Sequence, residues 1–340
     1  MKRPRLGLRR LARQAARRMA GRRLILTYHR VARPQHDPWA LAVAPQRFDE
    51  HLTALRRHCT VMSLGRMLEE LRAGTLARNA VAVTFDDGYA DNLHAAMPIL
   101  ERHEVPATFF LSPGLLDGSR SFWWDELGRI LLGGDAVPDH LELGIGGTTF
   151  RWARRDPGMA QRSSPGTWRG WHPTTEPAEQ LYLDLWRILK PLRREPQARL
   201  LAELRAWSGM AEPAAPNDRS LTFEEAARLG RHPLAEIGAH TLTHPTLPAH
   251  DGKTKQAEIA GSKRACEDIA GRTVRSFSYP YGDLDAEAAR IVRDAGFESA
   301  LTTKALPVGR RDHPQHLPRI QMQDWTGAEF ERCLLTRELW

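Results

Sequence analysis

Three cysteines in 340 residues, Cys59, Cys266 and Cys333, are too few and too scattered for a disulfide framework or a thiolate zinc site. Their free thiols fit a reducing compartment. No apolar run approaches the roughly 20 residues that a membrane-spanning helix needs, and no apolar signal-peptide core opens the chain. No segment repeats. Acidic residues are missing from positions 1–23, which hold ten Lys or Arg. With +8 overall and +10 in this arm, the rest of the chain carries −2, so the basic character belongs to the arm and not to the body. Leu8, Leu11, Ala12, Ala15 and Met19 recur at helical spacing and predict a basic amphipathic helix there. Such an arm fits either a solubilising tail or an anionic membrane surface, at about 1 kcal/mol per basic residue near that surface. Nucleic acid is disfavoured, because the arm has no interleaved aromatics and the body is not basic. The expected location is cytoplasmic, peripheral at the inner membrane face.

What is present is an alternation of short apolar runs and amphipathic helices. Strands are predicted at Leu24–Tyr28, Val81–Phe85, Ala107–Leu111 and Glu236–Ala239, with extended segments at Ser276–Tyr279 and Glu298–Thr302. Helices are predicted around Phe48–His58, Leu93–His103, Lys255–Ala270 and after the N-cap Asp285. Capping boxes at Thr222–Glu225 and Thr326–Glu329 open two more. Strands alternating with helices imply parallel pairing and an α/β layered or barrel fold, with chemistry at the carboxyl ends of the strands. Residues 113–220 break the rhythm and read as an insertion. It holds a helix from Phe122, a hairpin over Leu141–Trp152, a loop over 153–178, and a helical stretch Leu181–Trp207 interrupted near Pro191 and Pro196. A lid over the site and a surface elaboration are both open for it.

Two motifs carry chemistry. In Thr84-Phe85-Asp86-Asp87-Gly88, two adjacent carboxylates end a strand at a glycine; in His240-Thr241-Leu242-Thr243-His244-Pro245, two imidazoles lie four residues apart. Asp87, His240 and His244 make a set for one divalent ion, with positions left for water and substrate. Imidazole nitrogen with carboxylate oxygen suits Zn²⁺, and Co²⁺, Ni²⁺ or Fe²⁺ fits the same set. Thr241 stands where the helical metalloprotease motif needs Glu, and Pro245 favours a loop over a helix. Asp86 is then the candidate general base. A proton donor is sought among His29, directly after the first strand, and His313 and His316.

These motifs resemble the polysaccharide deacetylase family, also called the NodB-homology or carbohydrate esterase 4 family. Thr84–Gly88 matches its first motif and His240–His244 its second. The resemblance implies Asp86 as base, and Asp87, His240 and His244 as metal ligands. Ser278-Tyr279-Pro280-Tyr281-Gly282 looks like the third motif, with Ser278 in place of its Arg; Arg319 is the candidate to hold the base instead. Tyr28-His29 resembles the subgroup acting on poly-N-acetylglucosamine, where that His is the acid. The implied fold is a distorted (β/α)₇ barrel over 24–340, with the arm 1–23 before it and 113–220 inserted. The implied activity is removal of an N-acetyl group from an amino sugar in a polysaccharide or lipid-linked glycan, in exopolysaccharide assembly. The N–H near Tyr281 would serve the oxyanion, Pro280 and Tyr281 would form a wall, and Trp325, Trp123 and Trp124 could stack on sugar rings. A deformylase of a lipid-linked formamido sugar, an ester hydrolase and a non-catalytic carbohydrate-binding protein are the competing readings.

Overall fold

The structure, a computed structural model, describes residues 23–133, 138–154, 168–210, 218–336 and 338. All of the basic arm but Arg23, and part of the loop 153–178, lie outside the described residues. The first half runs β1 (Leu24–Tyr28), β2 (Arg30–Val31), β3 (Ala42–Val43), α1 (Pro45–His58), β4 (Thr60–Val61), α2 (Leu64–Ala73), β5 (Ala80–Phe85), a π turn at Asn92–Ala96, α3 (Met97–His103) and β6 (Ala107–Leu111). The insertion holds α4 (Trp123–Leu132), the hairpin β7 (His140–Ile145) and β8 (Thr148–Ala153), α5 (Pro177–Leu189) and α6 (Arg194–Ser208). The chain then returns through α7 (Phe223–Gly230), β9 (Ala235–Ala239), α8 (Gly252–Ala270), β10 (Ser276–Ser278), α9 (Ala286–Asp294), β11 (Ser299–Leu301), β12 (Ile320–Gln321) and α10 (Gly327–Thr336).

Seven strands pair in the order β11–β10–β9–β6–β5–β1–β12, all parallel, with β4 added beside β5. They form a curled half-barrel, the α/β class expected from the alternation. Leu317 links the two edges: its N–H donates to Ala300 O and its carbonyl accepts from Thr302 N, three residues before β12 pairs with β1. Every residue of β1, β5 and β6 is buried, which is why these strands read as unbroken apolar runs. Side-chain alternation then separates two layers. Leu24, Leu26, Val81, Val83 and Phe109 face the helices, while Thr27, Thr84, Thr108 and Ser278 point into the curl.

The insertion has its own small core, built from Leu127, Ile130, Leu181, Tyr182, Leu185 and Leu204 among others. Pro196, expected to interrupt its helical stretch, instead lies in the first turn of α6. There its missing N–H would have no intrahelical partner in any case. The break at Pro191 separates α5 from α6. The helix expected over Leu93–His103 starts with a π turn before α3. Among the described residues no helix is long and apolar enough to cross a membrane.

One buried histidine makes stability depend on acid. His51 is 0% exposed, its Nε2–H donates to Trp325 O at 2.9 Å, and its Nδ1 lies 3.3 Å from Tyr28 Oη. Burial pushes its pKa down to about 4, with the Trp325 carbonyl opposing. The unfolded chain therefore binds a proton near pH 6.5 that the folded chain refuses until about pH 4. Stability is fully present above pH 6.5 and falls by about 3 kcal/mol as pH drops to 4. Urea unfolding across that range should show the loss, and His51→Gln should flatten it.

Candidate metal centre and active site

The parity that sorts the strands also aims the first carboxylate. Asp86 continues the inward series Ala82, Thr84 one residue past β5, and its N–H donates to Tyr28 O. Asp87 would point away by the same alternation. It does not, because Gly88 N–H turns back to Asp86 O at 3.0 Å, closing a γ-turn with Asp87 at φ +75°. Both carboxylates thus face one cavity. Gly88 itself sits at φ +87°, and a Cβ there would lie 3.1 Å from Leu111.

His240 follows β9 directly, on the same inward parity as Glu236 and Gly238. The 240–246 segment is a loop, with Thr241 at φ +62° and His244 at φ +57°. Thr241 Oγ1 accepts from His244 N at 3.0 Å, and Glu258 of α8 accepts from Leu242 N and Thr243 N, which holds the bend. With Tyr281 at φ +59°, four non-glycine residues of this one site occupy the left-handed region. Each costs of order 1–3 kcal/mol elsewhere repaid, a concentration typical of functional sites.

Asp87, His240 and His244 are all buried, and one ligand atom from each lies within 4.8 Å of the others. His240 Nε2 is 3.5 Å and His244 Nε2 3.3 Å from Asp87 Oδ1. Those separations exceed the 2.7–2.9 Å of a charge-assisted hydrogen bond. They match the roughly 3.4 Å edge of a tetrahedron whose corners are each about 2.0–2.1 Å from an ion. His240 Nδ1 donates to Ser278 O at 2.7 Å, which fixes the tautomer and turns the Nε2 lone pair inward. The triad therefore fits a divalent cation. Burial alone would raise the Asp87 pKa, but the two imidazoles hold it well below the carboxylate range. Burial keeps His244 below the ordinary imidazole value, against the pull of Asp87.

Asp86 has a separate partner. Arg319, fully buried, donates from Nη1 to Asp86 Oδ1 at 2.8 Å and from Nη2 to Oδ2 at 2.7 Å. Ser278 Oγ accepts from Arg319 Nη2 at 2.8 Å and donates to Asp86 Oδ2 at 3.2 Å. Burial opposes ionisation of Asp86, yet the guanidinium outweighs it and holds the pKa below its usual value. Asp86 Oδ2 stays 4.0 Å from His240 Nε2, beside the triad and outside it.

A cavity of about 290 Å³ opens over these groups. His29, Tyr281, Asp86, Asp87 and both histidines line it. Pro280, expected to share a wall with Tyr281, is buried and does not line the cavity. Trp325 is placed elsewhere: it packs against the core next to His51 and does not line the cavity, because the turn into α10 carries it to the outer side of α1. His313 and His316 pack against each other, rings tilted, at the exposed surface and do not line the cavity. Trp39, Trp171, Trp186 and Lys190 line the cavity without having been singled out from the sequence. Three of the four come from the insertion, and the available signal was that seven of the ten tryptophans fall within 113–220. Trp124 packs on the His244 ring at 4.9 Å, and Trp123 Nε1 donates to Tyr281 Oη at 3.2 Å, so the insertion forms one wall.

The profile of the family described as Polysaccharide deacetylase matches residues 73–140 and 217–300. The chain is 24% identical over 111 residues to the provisionally named polysaccharide deacetylase YxkH of Bacillus subtilis (strain 168). That match covers 32% of this chain and only 39% of YxkH. In fold the chain is similar to the Streptococcus pyogenes deacetylase PplD, solved in complex with acetate. The TM-score is 0.57 at 16% identity, covering 92% of this chain and 97% of that one. It is similar also to IcaB from Ammonifex degensii, with a TM-score of 0.54 at 17% identity over 92% and 96% of the two chains.

Proposed function

Since the chain belongs to the polysaccharide deacetylase family, we propose that it is a metal-dependent hydrolase that removes the N-acetyl group from an amino sugar in a polysaccharide or lipid-linked glycan. One observation carries the reading. Three ligand atoms converge at the floor of an aromatic-walled cavity, with a second carboxylate, held by arginine, directly beside them. The donor set of two imidazole nitrogens and one carboxylate oxygen suits Zn²⁺. A divalent cation bound there supplies Lewis acidity toward an acyl carbonyl and toward water.

The chain's own residues do the rest. Asp87, His240 and His244 hold the ion. Asp86 takes the proton from the attacking water; the guanidinium keeps it anionic, and its oxygens retain lone pairs beyond those the fork uses. The backbone N–H of Tyr281 serves the developing oxyanion. His29, one residue past the Tyr28–Phe85 pair of β1 and β5, protonates the departing amine. Trp171 and Trp186 offer faces for sugar rings.

Incubation of the zinc-loaded protein with an N-acetylglucosamine oligosaccharide should release acetate. Formate from a formamido sugar, with no acetate from the acetylated one, would move the assignment to a deformylase. Binding of the oligosaccharide with no acid released from either substrate would leave a carbohydrate-binding protein.

A further inference from the structure

We propose that a second cavity, on the far side of Trp123 from the catalytic one, binds an oxyanion: phosphate, or a carboxylate or phosphate carried on a sugar. The cavity measures about 210 Å³ and shares no lining residue with the catalytic cavity. Three guanidiniums line it, from Arg120, Arg194 and Arg205, against two carboxylates, Asp117 and Glu126, and one amide, Gln197. It therefore carries one positive charge in excess.

The pairing inside it sharpens the point. Arg205 Nε is committed to Glu126 Oε1 at 2.9 Å. Asp117 Oδ1 is spent on a turn, accepting from Ser119 N, Ser119 Oγ and Arg120 N. Its other oxygen lies 3.8 Å from Arg194 Nη2, beyond hydrogen-bond reach. Arg194 Nη1 donates to Gly114 O, and Arg120 forms no side-chain hydrogen bond or ion pair among the described residues. Two guanidiniums thus line one concave space with planar donors that no carboxylate occupies within hydrogen-bond distance. That is the arrangement that binds carboxylate or phosphate oxygens in pairs. An ammonium or neutral ligand would gain nothing from it.

The position sets such a ligand beside residues that adjoin the catalytic centre. Thr243, between the two histidines of the metal loop, lines this second cavity, and so does Trp123, whose indole N–H holds Tyr281 Oη. An anion seated there would stiffen Thr243 and Trp123, which adjoin His244 and Tyr281 of the catalytic cavity.

Calorimetric titration of the full chain tests this without reference to its hydrolytic activity. The probes are inorganic phosphate and glucuronate, with chloride at matched ionic strength and N-acetylglucosamine as the uncharged control. One saturable equivalent of anion is expected, at least tenfold weaker in Arg120→Ala/Arg194→Gln and retained in His240→Ala. Tighter binding of glucuronate would assign a sugar substituent, and tighter binding of phosphate the free ion. Should the double variant unfold, Arg120→Ala alone carries the test, since that exposed side chain has no partner to lose. Absence of binding by both anions, or binding unchanged in the arginine variants, would overturn the proposal.

Discussion

Replacing Arg319 with methionine is expected to cost roughly 3–5 kcal/mol of stability and nearly all turnover, the range found when one partner of a buried ion pair is removed. The guanidinium is 0% exposed and spends its donors on Asp86, Ser278 Oγ and, through Nε at 3.1 Å, on Thr302 O. Its removal strands a carboxylate that is only 2% exposed. The ring of Phe110, 5.5 Å from the guanidinium carbon, cannot replace it, and Phe110 itself fits only because Gly238 beside it has no Cβ. A cycle separates the pair from its parts. Asp86→Leu/Arg319→Met should recover most of the lost stability, because apolar replacement of a whole buried pair is often neutral or better, but none of the activity. Arg319→Lys should fall between, retaining the charge while losing the fork. Denaturant midpoints and acetate release on the parent, Asp86→Leu, Arg319→Met, the double variant and Arg319→Lys check this. A single variant as stable as the parent would mean that the fork contributes nothing to holding Asp86.

That contact also marks how far the sequence could be read. The class of fold was legible because continuous burial of β1, β5 and β6 leaves unbroken apolar runs, and because Thr222 and Asp285 cap helices with local side-chain bonds. The Asp87, His240 and His244 cluster was legible from residue types that have few other reasons to share such spacing. What brings Asp87 inward was not: strand alternation points it outward, and the γ-turn that reverses it depends on a backbone bond no residue type announces. Arg319 lies 233 positions from Asp86, and only the curl of the sheet makes them neighbours. Lys190 and Trp186 reach the cavity because the insertion packs over the strand ends, a tertiary fact with no local signature. Trp325 misled for the matching reason, since an aromatic near the last strand satisfies the core as readily as a substrate.

Metal content and turnover should come apart between the two adjacent carboxylates. In Asp87→Ala and His240→Ala one of three ligands is gone. Affinity for the ion should then fall by more than the roughly 10–100-fold that losing an outer partner costs, and turnover should disappear with it. In Asp86→Asn the three ligand atoms, with both imidazole nitrogens 3.3–3.5 Å from Asp87 Oδ1, are untouched, because Asp86 Oδ2 stands 4.0 Å from His240 Nε2. That variant should keep its ion and still lose about 10²–10⁴-fold in turnover, the usual contribution of a positioned base. Elemental analysis gives the first quantity and acetate release the second. Added Zn²⁺ gives a third, since a ligand at a hundred times its Kd stabilises the folded state by about 2.7 kcal/mol. The melting temperature should therefore rise with Zn²⁺ in the parent and in Asp86→Asn, and stay flat in His240→Ala. If Asp86→Asn lost the ion as completely as His240→Ala, the two carboxylates would share one task. The division between a ligand and a base, drawn from the γ-turn and the arginine fork, would then be wrong.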